Sequence, residues 1–292
     1  MKIGVLTKNP ESWHSEQLKK AIAKSNAEPF FFRFTEIVAK IKDKLQIYAK
    51  NINIIKEIPA IIVRPIGRGS LEEIIFRLDS LHSLEGSGVL IINPPRAIEI
   101  SVDKYYSLNL LKQSGIPVPR TIATEDPEKA LEAFEELGRD VVIKPLFGSR
   151  GIGSTRISDR EIATRIFRAL TYHHNVIYLQ EYVEHGFSDI RAFVVGEHVI
   201  ASMRREAQTW KTNISLGARP KPIKLSGELE DLAVKASKTI GCKVAGIDIV
   251  ESKEGPLMVE INSQPGWRGL QTVTKVNIAD EIVKYVISEL KK

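Results

Sequence analysis

The stretch "KVAGIDIVESKEGPLMVEIN", residues 243–262, carries two strand patterns around "SKEG", and no other segment constrains the fold so tightly. Gly255 suits the positive-φ position of a three-residue hairpin loop at 253–255. Ser252 then faces Pro256, and four residues outward on each side Asp248 faces Glu260. Asn262 lies two residues beyond Glu260, on the same face and diagonal to Asp248. Cross-strand Cβ atoms sit roughly 4.5–5.5 Å apart, where like charges destabilise unless a cation neutralises them. Two carboxylates and an amide oxygen form a hard-oxygen set of the kind Mg²⁺ takes beside nucleotide phosphates. A pair of solvent-facing acids on an exposed sheet face is the plain alternative. A general acid/base pair is another, but the "SQPG" that follows brings no group placed to activate water.

Upstream, residues 1–95 alternate apolar strand runs with helical patterns: "KIGVL", a helix over 15–24, "FFFRF", "AIIVR", a helix over 71–84, and "VLIIN". That alternation predicts a parallel, helix-covered sheet, and "NPP" at 93–95 marks its boundary. The next helix, in "ISVDKYYSLNLLKQSGIPVP", is expected to start at an N-cap Ser101 and to end near Gly115 and Pro117. Lys104 then falls in the first turn, where the helix dipole disfavours a cation unless an anion is shared with it.

"DVVIKPLFGSRGIGSTRIS" reads as a strand, a glycine-rich loop and a returning strand. Backbone amides of a loop containing Gly148, Ser149, Gly151 and Gly153 can form an anion nest. An ordinary flexible turn is the alternative for the loop alone. Lys144, closing the strand just before it, can bring an ammonium to the same phosphates. The loop lacks the Lys-Ser/Thr ending of a Walker A motif, and it leads into a strand where a dinucleotide fingerprint would open a helix.

After a helix over 159–170, "VIYLQEYV" leads into a bend where Glu181, Tyr182 and Val183 suit a linker between domains. "DIRAFVV" and "HVIASM" pair as a hairpin about Gly196 and Glu197. Asp189 can bind ribose hydroxyls, with a surface carboxylate as the plain alternative. Arg191, Arg205, Lys211 and Asn213 surround that hairpin and its loop, where fixed cations could neutralise an acyl phosphate or fork a substrate carboxylate.

Composition narrows the class. With 43% apolar residues in 292, the chain can bury real cores, and no apolar run reaches the ~20 residues that span a bilayer. No signal-peptide pattern opens it, and one cysteine, Cys242, excludes an internal disulfide framework, so a cytoplasmic location is expected. The charge of +6 suits acidic partners, yet no run of five basic residues occurs, so nucleic-acid binding is a distant reading. A homo-oligomer is compatible with the sequence.

In order, "DKYYSLNLLKQSGIPVP", "VVIKPLFGSRGIG", "QEYV", "DIRAFVVG", "RREA…WKTN", "AGIDIV" and "VEINSQPG" resemble the ATP-grasp superfamily, and within it the RimK-type alpha-L-glutamate ligases. The resemblance spans essentially the whole chain. It implies an α/β ATP-grasp fold: an N-terminal parallel-sheet domain (1–95), a central subdomain (96–184) and a C-terminal subdomain with the metal site (185–292). It further implies that Lys104, Lys144 and the glycine loop contact ATP phosphates, that Glu181, Tyr182 and Val183 hold adenine, and that Asp189 reaches ribose. Lys211, Thr212 and Asn213 would continue the nucleotide site. Asp248, Glu260 and Asn262 would bind two Mg²⁺ (or Mn²⁺) ions. Lys211 stands where some relatives carry Arg, which keeps the charge and loses the bidentate fork.

The implied reaction activates a carboxylate with ATP and joins it to the amine of L-glutamate, with Arg191 and Arg205 stabilising the tetrahedral intermediate. "PGWRGL", through Trp267 and Arg268, is more similar to archaeal members that act on pterin or deazaflavin cofactors than to ribosomal-protein glutamylases. A protein tail, as in amino-group-carrier ligases of lysine biosynthesis, and a nucleotide-binding regulatory module without turnover are the alternatives.

Overall fold

A computed structural model describes residues 1–148 and 151–292. The N-terminal sheet is parallel, in the order Glu28–Phe32, Lys2–Leu6, Ala60–Val63, Leu90–Ile92. Its central strands are apolar on both faces because helices cover both. Trp13–Lys24 buries Leu18, Ala21 and Ile22 against Ile3 and Val5, and Leu71–Gly86 buries Leu81 and Leu84 against Leu6, Ile61 and Val63.

A three-stranded antiparallel sheet, Ile37–Ile41, Leu45–Ala49 and Ile52–Asn53, was not legible in the sequence. Lysines interleave its apolar residues, and only one side is covered: Ile37, Ile47 and Ala49 are buried, whereas Val38 and Ile41 are exposed.

Ser101 is not an N-cap. It lies in the last turn of a separate helix, Pro95–Val102, and Asp103, extended at φ −87° and ψ 102°, caps Lys104–Gln113 by accepting from the Tyr106 amide at 2.9 Å. Asp103 is a carboxylate at the helix N-terminus, so it supplies the negative charge the dipole favours.

The central sheet is antiparallel, in the order Thr155–Ile157, Val141–Lys144, Ile177–Glu181, Thr121–Thr124. Helices Pro127–Glu136 and Arg160–Tyr172 bury Phe134 and Phe167 against Val141, Ile143 and Leu179. That core begins at Ile122; Ala97, Ile100, Leu108, Leu111 and Ile116 pack instead with Ile190, Ala192 and Ile247 of the following sheet.

The third sheet has five antiparallel strands, in the order Arg219–Pro222, His198–Glu206, Ser188–Val195, Val244–Ser252, Gly255–Asn262. One face is apolar over Ile190, Ala192, Val194, Ala245, Ile247 and Ile249 and packs there on the helix Gly227–Ile240 through Ala233, Ala236 and Ile240, while Ser202 and Arg204 lie toward its edge. The other face is divided. Phe193, Val195 and Met203 lie under Trp267 and the C-terminal helix Ile278–Glu289, in a core shared with the N-terminal sheet. The remainder carries Asp189, Arg191, Arg205, Asp248 and Glu260, set side by side by the strand registers.

Asn93 ties these parts together. It is 1% exposed; its amide donates to Val244 O (2.7 Å) and to Ser263 O, while its oxygen accepts from the amides of Lys243 (2.6 Å) and Val244 (2.8 Å). The polar capacity of this buried side chain is therefore spent on backbone 150 or more residues away.

Candidate active site

Asp248 does pair with Glu260, but by a different route from the one the sequence suggests. Ser252 pairs with Gly255 and Glu251 with Pro256, so the loop is one residue shorter than expected. A bulge then leaves Val259 unpaired between Met258, opposite Ile249, and Glu260, opposite Asp248. The two offsets cancel. Asn262 pairs with Gly246, diagonal to Asp248.

The neutralising charge at Asp248 comes from two arginines, whatever cation joins them. Arg191 Nε lies 2.9 Å and the Arg205 guanidinium 3.0 Å from Asp248 Oδ1. These are charge contacts rather than aligned hydrogen bonds, because Asp248 Oδ1 and Arg191 Nε are buried without a hydrogen-bond partner. Arg205, 4% exposed, also grips Asp189 through both ends of its fork, with Nε at 2.7 Å from Oδ1. Burial opposes its charge, but Asp248 and Asp189 outweigh it and raise the guanidinium pKa. Burial lifts the Asp189 carboxyl, with Arg205 opposing.

Glu260 makes no ion pair within 4 Å among the described residues. Burial, then Asp248, raises its pKa, against Lys104, Lys144 and Arg191. Glu260, a carboxylate without an ion pair among the described residues and held above its ordinary pKa, suits a hard divalent cation together with Asp248 opposite it and Asn262 on the same strand face. The set is sparse: no cluster of three His, Cys, Asp or Glu is placed for a metal among the described residues.

The central sheet faces this charged patch across a cleft. Lys144 Nζ donates to Gln180 Oε1 at 2.6 Å, and burial lowers its pKa to about 8 although Glu260 favours the charge. Lys104 Nζ reaches the carbonyls of Gly148 (2.9 Å) and Leu146 (3.4 Å), so the cation leaves its own helix end for the glycine loop. Burial lowers its pKa as well, with Glu260 opposing.

Gly151 has φ +69°, and a Cβ there would collide with Asn213 Oδ1, so the loop closes onto residues across the cleft. Gly153 (φ +80°) packs on Pro145. Ser149 lies outside the described residues.

Glu181 turns its carboxylate to Arg120, accepting from the Arg120 amide at 2.8 Å and from its Nε at 2.6 Å. Tyr182, whose amide donates to Asp140 O, stacks under Arg156 at 3.4 Å, and with Val183 it lines the cleft wall. Lys211, Thr212, Asp189 and Arg205 line the opposite wall.

Of the expected residues, Gly153, Asn262 and Arg191 are not part of this lining. Gln180, Trp210 and His185 are, and the sequence reading passed over them. Gln180 had a signal: it is the polar residue at an alternate position of an otherwise apolar strand, on the face that Lys144 shares. Trp267, read as a marker of the acceptor, is 1% exposed and belongs to the core.

The pattern described as the RimK-like ATP-grasp domain matches residues 101–286. The chain belongs to the RimK-like ATP-grasp family. Within it, the chain is 34% identical over its full length to the whole of a tetrahydromethanopterin:alpha-L-glutamate ligase of Methanococcus maripaludis. It is also 36% identical, over 72% of the chain and 71% of the relative, to a probable alpha-L-glutamate ligase of Legionella pneumophila. The fold is that of the ATP-grasp ligase PsnB complexed with a minimal precursor (TM-score 0.79, 22% identity, 98% of each chain). It is likewise that of the macrocyclase MdnC of Microcystis aeruginosa bound with the precursor peptide MdnA (TM-score 0.76, 17% identity, 98% and 99% covered). Among the described residues no helix of this RimK-like protein is long and apolar enough to cross a membrane.

Proposed function

We propose that the protein is an ATP- and Mg²⁺-dependent ligase that joins an acceptor carboxylate to the amine of L-glutamate, with tetrahydromethanopterin as the acceptor. The observation that carries the chemistry is the cleft itself, in which Lys104 and Lys144 face Asp248 and Glu260. The full-length likeness to a tetrahydromethanopterin:alpha-L-glutamate ligase supports the choice of substrates.

In this reading ATP phosphorylates the acceptor carboxylate, the glutamate amine attacks the acyl phosphate, and ADP and phosphate leave. The chain supplies no nucleophile. Lys104, Lys144 and the glycine loop hold the transferred phosphate in line, and Glu181, Tyr182 and Val183 hold the base. Lys211, Thr212 and Asn213 close the nucleotide side. Asp248, Glu260 and Asn262 would hold two Mg²⁺ or Mn²⁺ ions, which would offset the charge developing on the transferred phosphate. Arg191, behind the cleft lining with two buried guanidinium nitrogens lacking hydrogen-bond partners, would stabilise the charge of the tetrahedral intermediate through its field. Arg205, clamped between Asp189 and Asp248, acts by orienting both.

The test is ADP release by purified protein given ATP and Mg²⁺. The reading requires release that depends on both tetrahydromethanopterin and L-glutamate, in equal amount to the glutamylated product. Release with lysine or D-alanine in place of glutamate, or none at all, contradicts it.

A further inference from the structure

Three arginines are buried among the described residues and a fourth, Arg191, is nearly so. Three of these four meet a carboxylate: Arg77 meets Glu73, Arg191 meets Asp248, and Arg205 meets Asp189 and Asp248. Arg64, 8% exposed, forms no ion pair among the described residues. Its guanidinium donates to Pro265 O at 3.0 Å and stacks over Trp267 at 4.7 Å, and burial alone lowers its pKa to about 10. A ring face and one carbonyl do not replace the hydration of a buried charge, which calls for a counter-ion.

The location adds to this. Arg64 follows the strand Ala60–Val63, and its amide donates to Leu6 O of the neighbouring strand Lys2–Leu6. The chain leaves Lys2–Leu6 toward Glu28–Phe32 on one side and later returns to Ala60–Val63 on the other. This is a topological switch point, and open α/β sheets bind ligands in the crevice at the carboxyl ends of such strands. The loops beyond both strands meet there, since a Cβ at Gly67 would lie 3.6 Å from the Lys8 side chain.

The loop that Arg64 clasps holds two further donors without partners, Gln264 Nε2 and Trp267 Nε1. It also abuts the reaction side of the sheet: a Cβ at Gly246 would meet both Pro265 (2.8 Å) and the guanidinium of Arg191. A lone guanidinium thus sits on a loop that holds two orphaned N–H groups, a donor set that complements an organic carboxylate.

We propose that this crevice binds a non-reacting carboxylate of a substrate, with Arg64 as its charge partner. The proposal rests on the ligase reading above, which supplies such groups: glutamate keeps both of its carboxylates ionised through the reaction, and any acceptor carboxylate other than the one activated stays ionised too. The shared chemistry is the carboxylate, and the two arms of the test separate its sources.

Calorimetric titrations with L-glutamate, and separately with tetrahydromethanopterin, in the presence of ADP and Mg²⁺ compare wild type with Arg64→Met and Arg64→Lys. Arg64→Met is expected to weaken one of the two ligands about 30-fold or more, with ADP affinity unchanged. Arg64→Lys weakens it less, because the charge stays and the fork is lost. The melting temperature of ligand-free Arg64→Met should not fall, since an apolar side chain replaces a lone buried charge. The weakened ligand names the source. Unchanged affinity for both ligands overturns the proposal. So does a lowered melting temperature with equal loss for every ligand, which would make Arg64 a structural clamp. Arg64→Lys decides if Arg64→Met does not fold. A wild type that binds neither ligand overturns the ligase reading, and the proposal with it.

Discussion

Asp248 and Glu260 stand opposite each other on adjacent antiparallel strands, although an extra residue, Val259, separates Glu260 from the regular ladder. The two acids nevertheless have different surroundings. Asp248 is held by Arg191 and Arg205, whereas Glu260 faces Lys104 and Lys144 only across the cleft.

Removing one charge from each acid should therefore separate stability from activity. Asp248→Asn strips the nearly buried Arg191 of its carboxylate partner and leaves Arg205 with Asp189 alone, and it is expected to cost about 3 kcal/mol of stability as well as activity. Glu260→Gln removes a repulsion and should leave the melting temperature equal or higher, while turnover falls about 100-fold or more. Thermal melts alongside the ADP assay distinguish the two.

Lys144 gives a pH signature. Its pKa in the folded chain is about 8, below the ordinary 10.5, so the neutral form is favoured by folding. This contribution to stability is present above pH 10.5 and is lost as pH falls through about 8. ATP phosphates favour the charged form instead, so the KM for ATP should rise as pH climbs through that region. Lys144→Arg, charged throughout, should flatten the profile.

Gly151→Ala should raise the KM for ATP about 10-fold or more, because the positive φ and the contact with Asn213 leave no room for a methyl group. The melting temperature should move little, since few core contacts depend on the loop.

Asn93→Ala strands four buried backbone groups and is expected to cost about 3–5 kcal/mol, measured by urea unfolding. Asn93→Asp should be no better, because a carboxylate cannot donate to Val244 O and Ser263 O.

The parallel sheet and the hairpins were legible because they follow from local periodicity and turn chemistry, whereas most of the cleft lining was reached only through the family resemblance of its motifs. Features set by tertiary context were not visible in the sequence. The helix start at Asp103, in place of Ser101, follows from a break between two helices that enter the same core, so their apolar periodicity runs on without marking it. The Val259 bulge leaves no local trace, and the shorter hairpin loop hid it by compensation. The sheet over 37–53 buries one side only, so its lysine-rich alternation resembles a solvated surface. Asn93, at the boundary its prolines mark, is a joint, because its partners Lys243, Val244 and Ser263 lie far along the chain. Trp267, which with Arg268 carried the similarity to archaeal members, serves packing between Arg64, His14 and Phe193.

The account turns on whether the facing acids hold the metal that accompanies the nucleotide. Electron paramagnetic resonance can count Mn²⁺ bound in the presence of a non-hydrolysable ATP analogue, for wild type and for Glu260→Gln. The prediction is Mn²⁺ bound tightly by wild type only when the analogue is present, and weakened about 10-fold or more in the variant. Equal Mn²⁺ binding by both proteins would contradict the assignment of Asp248 and Glu260 as the metal site.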